Sequence, residues 1–253
     1  EAGEQVVAAD EFSDYPQEAP TTSLSGFEPN VEAIAEYDPD LVVASSDPGD
    51  MVAGLDAAGI QTIVHPAANT LDETYRQINQ LGAATGHPEE ASDVVAQMQA
   101  EIDDIAASIP LAAGELTYYH ELDPSYFSVT SGTFIGAVYE RLGLTSIADA
   151  AADDAGAYPQ LSAEFILEAD PDLIFLADTV CCDVTADSVG ERPGWEQLTA
   201  VRQAGIVELN DDIASRWGPR ITDLMRQVAD AAAEVVESSG TTGTAAASAQ
   251  SGA

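Results

Sequence analysis

The chain has 253 residues, and its 45 acidic side chains against seven basic ones give a formal net charge of -38. Such a charge repels nucleic acid and anionic membrane surfaces, so neither is expected as a partner. All seven basic residues are arginine, and the absence of lysine excludes P-loop NTPases, protein kinases and Schiff-base enzymes, which need a lysine amine.

The first part of the chain predicts a small α/β unit. The runs QVVAAD (5–10), LVVAS (41–45) and IQTIV (60–64) are typical of short buried strands, and helical segments alternate with them. Asn30 is the expected N-cap of a short helix, which must end before Pro39 because a residue preceding proline disfavours the α region. The alternation predicts a largely parallel sheet flanked by helices.

A long helix is predicted over 88–109. It starts with Pro88, has acidic residues in its first turn, and repeats apolar residues at intervals of three or four. At 1.5 Å per residue it would be about 33 Å long, enough to join two domains.

Beyond this helix the α/β pattern restarts. Strands are predicted at 116–122 and 205–209, and helices at 133–144 and 218–237. The predicted organisation is an N-terminal α/β lobe (1–86), a connecting helix (87–110), a C-terminal α/β lobe (111–237) and a disordered tail rich in Ser, Thr, Ala and Gly (238–253).

One phrase occurs once in each predicted lobe. EAIAEYDPDLVVAS begins at Glu32 and EFILEADPDLIFLAD begins at Glu164, and both fit the pattern E-x-I-x-E-x-D-P-D-L. Each copy predicts a short helix, a turn at the proline and a buried strand. The duplication favours two lobes built on related plans.

The acidity itself predicts adaptation to high salt. Self-repulsion at -38 would destabilise a compact protein in dilute buffer, whereas a Debye length of about 3 Å at 1 M salt screens it. We therefore interpret the carboxylates as a halophilic surface. A single Asp or Glu in this chain is weak evidence for a functional site.

Motifs for catalysis and metal binding are sparse. The sequence has no G-x-S-x-G, no G-x-G-x-x-G, no H-x-x-x-H and no C-x-x-C. His65 follows a predicted strand and His120 lies in one, so the two could approach each other, while His87 precedes the long helix. We expect no catalytic residue, no resident metal and no cofactor, with a three-histidine metal site as the weaker alternative.

Cys181 and Cys182 are adjacent and directly follow the strand of the second repeat. Neighbouring cysteines can form a vicinal disulfide, ligate a metal or remain two thiols, although disulfides prefer a wider Cα separation. Ligands of open α/β sheets bind beyond the carboxyl ends of the strands. The position of the pair therefore makes both residues candidates for ligand contact.

Several passages in order resemble the substrate-binding proteins of ABC importers for cobalamin and iron-siderophores. They are DEFSDYP, the first repeat, IQTIV, the helix after GHPEE, SGTFIGAVYERLG, YPQLS with the second repeat, RPGWEQLTAV and SRWGPRI, which together span about residues 4–236. Members of that family usually have a further strand and helix before the DEFSDYP region, so the chain resembles a member shortened at its front.

The resemblance implies two α/β lobes joined by the long helix, with a ligand cleft between them, and a monomeric protein outside the cytoplasm. The composition of the Ser/Thr/Ala tail suggests a stalk that leads to a membrane anchor beyond this chain. It implies cobalamin or a ferric siderophore as the ligand, with haem as a further option, and an ABC permease dimer as the partner. Glu32 and Glu164 match the positions that pair with permease arginines. Tyr15, Phe27, Tyr158, Arg216 and Trp217 match ligand-contacting loops, and we add Cys181 and Cys182 to them.

Two alternatives stay open at this point. The same fold could bind zinc or manganese through His65, His120 and carboxylates, although three dispersed histidines disfavour this. A redox or hydrolytic enzyme could use Cys181 and Cys182, although no base accompanies them in the sequence.

Overall fold

The computed structural model describes residues 2–110, 116–151 and 156–249. Its α-helices are α1 (Val31–Ala35), α2 (Met51–Ala57), α3 (Leu71–Thr85), α4 (Pro88–Ser108), α5 (Phe134–Arg141), α6 (Ala163–Ala169), α7 (Ala186–Gly190), α8 (Thr199–Arg202), α9 (Asp211–Ser215) and α10 (Ile221–Ala249). Its strands are β1 (Leu41–Ala44), β2 (Gln61–Val64), β3 (Thr117–Glu121), β4 (Thr145–Ser146), β5 (Leu173–Leu176) and β6 (Ile206–Glu208). None of the helices in these ranges is long and apolar enough to cross a membrane.

The chain divides into two compact units. Unit 1 comprises Glu1–Ala68 and Asp72–Val95, and unit 2 comprises Asn69–Leu71 and Ala96–Ala253. The division falls inside α4, whose range agrees with the helix predicted over 88–109 to within one residue. Residues 111–115, where the predicted second lobe starts, lie outside the described residues.

In unit 1 the strand of the first repeat, β1, pairs in parallel with β2. Leu41 lies opposite Gln61, and the register continues to Ala44 opposite Val64. Helix α2 packs beneath this sheet through Leu55, which is fully buried. One face of the sheet stays accessible, since Val43 in the middle of β1 is 50% exposed.

In unit 2 four parallel strands are ordered β4-β3-β5-β6. All four residues of β5 are buried, because β3 and β6 flank this strand and helices cover it. Helix α10 contributes a fully buried stripe of Leu224, Met225 and Val228 at helical spacing. The predicted α/β class with parallel sheets is confirmed.

Both copies of the repeat form the same local structure. Asn30 caps α1 by accepting the N–H of Ala33 at 2.9 Å, and Ser162 caps α6 by accepting the N–H of Phe165 at 3.1 Å. Each helix is followed by an Asp with positive φ, 51° at Asp38 and 44° at Asp170, and then by the strand. Aspartate is among the few residues that tolerate this left-handed conformation.

One prediction of secondary structure is wrong. The run 5–10 forms no strand: Ala9 makes one isolated bridge to Thr21, and Val7 is 55% exposed. Asp10 ends the run because its carboxylate accepts the N–H groups of Phe12 and Ser13 and turns the chain.

The disordered tail predicted from residue 238 stays a prediction. Helix α10 continues to Ala249, and only residues 250–253 lie outside the described residues. Once a helix is nucleated, each further residue adds one hydrogen bond, and the alanines of this stretch favour that extension.

Candidate ligand-binding site

Two buried carboxylates mark the carboxyl ends of the central strands in unit 2. Glu121 is the last residue of β3 and lies in register with Leu176, the last residue of β5. Asp178 follows β5 by two residues, and both acidic side chains are fully buried. Since parallel strands end at the same sheet edge, the fold places two acids beneath the loops that leave this edge.

Arg192 neutralises one of these acids. Its Nη1 donates to Glu121 Oε2 at 2.6 Å and its Nη2 donates to Oε1 at 2.5 Å, a bidentate pair. Its Cζ lies 4.6 Å from the ring centre of Trp195 and 5.3 Å from that of Tyr126. The two rings stack on each other at 5.9 Å and hold the guanidinium in place. Glu121 is thereby satisfied, and Asp178 has no cation of its own in this cluster.

The environment of Asp178 favours its protonated form. Burial, followed by the charge of Glu121 and a hydrogen bond to it, raises the pKa of Asp178 to about 7, and the nearby Arg192 offsets only part of this effect. Among the described residues no donor reaches either oxygen of an ionised Asp178. Once protonated, the carboxyl of Asp178 can donate a hydrogen bond to Glu121.

The vicinal cysteines lie in the next turn of the chain. Cys181 and Cys182 form a disulfide, with their Cα atoms 3.8 Å apart, and both residues are exposed. The carbonyl of Asp178 accepts the N–H groups of Cys182 at 3.3 Å and Val184 at 3.4 Å, which folds the turn back on itself. We call residues 179–183 the disulfide turn. Its Val180 side chain is 66% exposed.

Asp211, the first residue of α9, holds the disulfide turn. Its Oδ2 accepts the N–H of Cys181 at 2.8 Å, and its Oδ1 accepts the N–H of Val180 at 3.1 Å. The hydroxyl of Thr179 lies 2.6 Å from the carbonyl oxygen of Leu209 and 3.3 Å from Asp211 Oδ1. The turn is therefore fixed to the segment that begins α9.

The predicted pair Arg216 and Trp217 directly follows α9. Asn210 caps the helix by accepting the N–H groups of Asp212 and Ile213. Nη2 of Arg216 pairs with Oδ1 of Asp212 at 2.6 Å, one helical turn back, and its side chain is 42% exposed. The structure thus joins the cysteine pair to the Arg216 segment through one short helix.

Tyr158 is presented by a separate loop of unit 2 and is 50% exposed. The carbonyls on either side of it are occupied, because Ala157 accepts the N–H of Thr130 at 3.1 Å and Pro159 accepts that of Ser128 at 2.9 Å. These bonds fix the backbone at Tyr158 while its ring faces solvent.

In unit 1 the predicted aromatic residues are strongly exposed, Tyr15 at 62% and Phe27 at 76%. The ring of Phe27 makes an edge contact with Phe12, with centroids 5.4 Å apart. Phe12 was not predicted as a site residue, although it belongs to the same passage, DEFSDYP, as Tyr15. The turn imposed by Asp10 brings the two segments together, since the N–H of Glu11 also donates to Leu24 at 3.0 Å.

Glu32 and Glu164 occupy equivalent positions in their units. Each is the second residue of its helix and each side chain is exposed. The N-caps Asn30 and Ser162 hold the two helix starts in the same local geometry.

The alternative metal site is not supported by the histidines. His120 is fully buried, its Nδ1 lies 2.9 Å from the Tyr139 hydroxyl, and burial lowers the pKa of His120 to about 3. It is a core residue of β3. Across the described ranges no group of three or more His, Cys, Asp or Glu side chains is placed to hold a metal ion.

Glu121, Asp178 and Arg192 were not predicted. Two signals could have found them: Asp178 follows the apolar strand LIFL and Glu121 ends the predicted strand of β3, and Arg192 is one of only seven cations in the chain. Because the chain has 45 acidic residues, an acid at the end of a strand did not stand out in the sequence.

Comparison with known proteins gives a consistent result. Residues 2–213 match the family model described as periplasmic binding protein. The uncharacterised ABC transporter substrate-binding lipoprotein YvrC of Bacillus subtilis (strain 168) is 28% identical over 237 residues, which cover 90% of this chain and 73% of the relative.

Two further proteins carry names that specify a ligand. A cobalamin-binding protein of Halobacterium salinarum (strain ATCC 29341 / DSM 671 / R1) is 32% identical over 237 residues, 89% of this chain and 63% of the relative, so the chain spans less than two thirds of that protein. The crystal structure of the periplasmic vitamin B12 binding protein BtuF of Vibrio cholerae superposes with a TM-score of 0.70, at 26% identity, over 90% of this chain and 88% of that one.

Proposed function

This chain belongs to the periplasmic binding protein family, whose members are solute-binding proteins rather than enzymes, and on that premise we propose that it captures cobalamin or a ferric-siderophore-type ligand outside the cytoplasm and delivers it to an ABC permease. The observation that carries the proposal is the similarity, over about nine tenths of this chain, to a protein named for cobalamin binding and to a B12-binding fold. The name of the Bacillus relative supports attachment to a membrane by a lipid.

The exposed aromatic residues supply the ligand chemistry. Tyr15 and Phe27 in unit 1 and Tyr158 in unit 2 lie in loops, and their rings are at least half exposed. In a chain with only 6% aromatic residues, this placement provides surfaces on which a corrin or a catecholate complex can stack. Trp217 adds an indole beside Arg216, whose guanidinium can meet a carboxylate or phosphate of the ligand.

Glu32 and Glu164 are the proposed docking residues. Equivalent helix starts in two related units present one exposed carboxylate each, and two such groups match a permease dimer that offers one arginine cluster per subunit. An exposed ion pair contributes modestly to affinity, but two acting together add their effects and fix the orientation.

Uptake of radiolabelled cyanocobalamin by cells that contain the cognate permease tests capture and delivery together. The double variant Glu32→Ala/Glu164→Ala should bind the ligand with unchanged affinity and lose most of the uptake. The matched control is Glu36→Ala/Glu168→Ala, which removes the other pair of repeat-equivalent, exposed glutamates.

Equal uptake by the two double variants would refute the docking assignment. No uptake with the wild-type protein, together with uptake of a ferric siderophore or haem, would replace cobalamin as the ligand and leave delivery in place.

A further inference from the structure

The disulfide turn presents an apolar surface in a very acidic chain. Val180 is the most exposed large apolar side chain in the described part of unit 2, and the disulfide between Cys181 and Cys182 is exposed beside it. Exposing the apolar groups of this turn to water is energetically unfavourable. It suits contact with the apolar edge of a ligand.

The turn does not hold this form by packing, since its four successive residues 180–183 are exposed. Its fixed points are polar. Asp211 accepts the N–H groups of Val180 and Cys181 with its two oxygens, and Thr179 bonds both to Leu209 and to the same carboxylate. A carboxylate is the one side chain of this size that can accept at both oxygens.

The same aspartate starts the helix that leads to Arg216. Helix α9 is anchored by buried Ala214. The side chain of Arg216 folds back toward this helix and forms a 2.6 Å ion pair with Asp212. The chain of contacts therefore runs from the disulfide turn through Asp211 and α9 to the cationic segment.

We propose that Asp211 is a positioning residue for ligand capture, which fixes the disulfide turn and the Arg216–Trp217 segment as one preformed surface. The ligand class that fits is an amphipathic molecule with an apolar edge for Val180 and the disulfide and an anionic group for Arg216. A preformed surface lowers the entropic cost of binding, because neither loop has to be ordered by the ligand. The inference rests on the proposed function.

Asp211→Asn tests the proposal with little change in volume. Its amide nitrogen cannot accept, so one of the two turn amides loses its acceptor. In molar KCl the affinity for cyanocobalamin should fall about five- to tenfold, and amide hydrogen exchange at Val180 and Cys181, followed by NMR, should accelerate about tenfold while the amides of β3 stay unchanged. Asp187→Asn, an exposed acid in the first turn of α7, is the matched control and should change neither value.

Thr179→Val provides a second variant if Asp211→Asn does not fold. It removes the hydroxyl that joins the turn to Leu209, and it should weaken binding about threefold. The folded state of each variant is checked by circular dichroism before titration.

The outcomes separate the inference from the proposed function. Binding by the wild type with unchanged affinity in both variants overturns the positioning role of Asp211 alone, as does unchanged amide exchange in Asp211→Asn. A wild-type protein that binds neither cyanocobalamin, haem nor a ferric siderophore overturns the proposed function and this inference with it.

Discussion

The two copies of the repeated phrase have the same local structure but very different surroundings. In unit 2 the strand β5 is buried along its whole length between β3 and β6. In the described part of unit 1 the matching strand β1 has one neighbour, β2, and a half-exposed Val43. The repeated pattern thus specifies an N-cap, a short helix, an aspartate in the left-handed conformation and a strand. How much each residue stabilises the protein depends on what packs against it.

The aspartates of the repeat show the same contrast. Asp170 accepts the N–H of Thr199 at 2.6 Å and its hydroxyl at 2.9 Å, and Asp172 accepts the N–H and hydroxyl of Thr117 at 2.9 and 3.0 Å. In the described part of unit 1, the side chains of Asp38 and Asp40 make no such bonds. Identical residues therefore contribute differently to the free energy of unfolding. Substitutions at equivalent positions of the two units can measure the difference.

The largest effect is expected at the leucine that starts each strand. Leu173→Ala removes a fully buried side chain and should lower the free energy of unfolding by about 2–5 kcal/mol, because a cavity remains. Leu41→Ala, at the partly buried equivalent position, should cost about half as much. Urea unfolding in molar KCl, followed by circular dichroism, gives both values, and equal losses would contradict the contrast in packing.

The next effect is a dependence of the free energy of unfolding on pH, and it arises from Asp178 in unit 2. Where unit 2 has buried Asp178, the repeat places exposed Ser46 in unit 1. The pKa of Asp178 rises from 3.8 to about 7 on folding, so its contribution is complete below the unfolded value and is lost as the pH rises toward 7. The free energy of unfolding should fall by up to about 1.4 kcal/mol per pH unit across this window.

Asp178→Asn should flatten that slope and stabilise the protein above neutral pH, since a neutral amide replaces a carboxyl that would ionise while buried. Thermal unfolding between about pH 5 and pH 8 measures the slope. Asp187→Asn, an exposed acid nearby, should retain the wild-type slope. If Asp178→Asn retained the slope too, the raised pKa of Asp178 would not be its cause.

The smallest difference is expected between Asp170→Ala and Asp38→Ala. Both replace an aspartate with positive φ, so the backbone cost and the removal of one negative charge are common to both. Only Asp170 loses hydrogen bonds to Thr199, which should make its substitution more costly by about 1–2 kcal/mol. A difference near zero in urea unfolding would mean that these exposed bonds add nothing.

Sequence reasoning succeeds where the signal is local. The cap at Asn30, the apolar strands and the spacing in α4 each depend on neighbours along the chain, and the structure confirms those elements. It failed for the run 5–10, because an apolar run becomes a strand only if another strand pairs with it, and Val7 remains exposed.

The candidate site was predictable only in part. The rule that ligands bind beyond strand ends identified Cys181 and Cys182 as candidates, but not Asp211, which is distant in sequence and looks like any other acid in an acidic chain. Arg192 and its partners are brought together by the pairing of β3 with β5, a contact that no local pattern contains. Phe12 was missed because its ring contacts Phe27, which belongs to a different segment of the chain.

Isothermal titration calorimetry of the wild-type chain in molar KCl tests whether the protein captures an organic ligand. Cyanocobalamin, a ferric siderophore, haem and zinc are titrated separately into the same preparation. The account predicts saturable binding of one organic ligand, cobalamin first, at one site per chain, and no heat from zinc. Binding of zinc alone, or of none of the four, would contradict it.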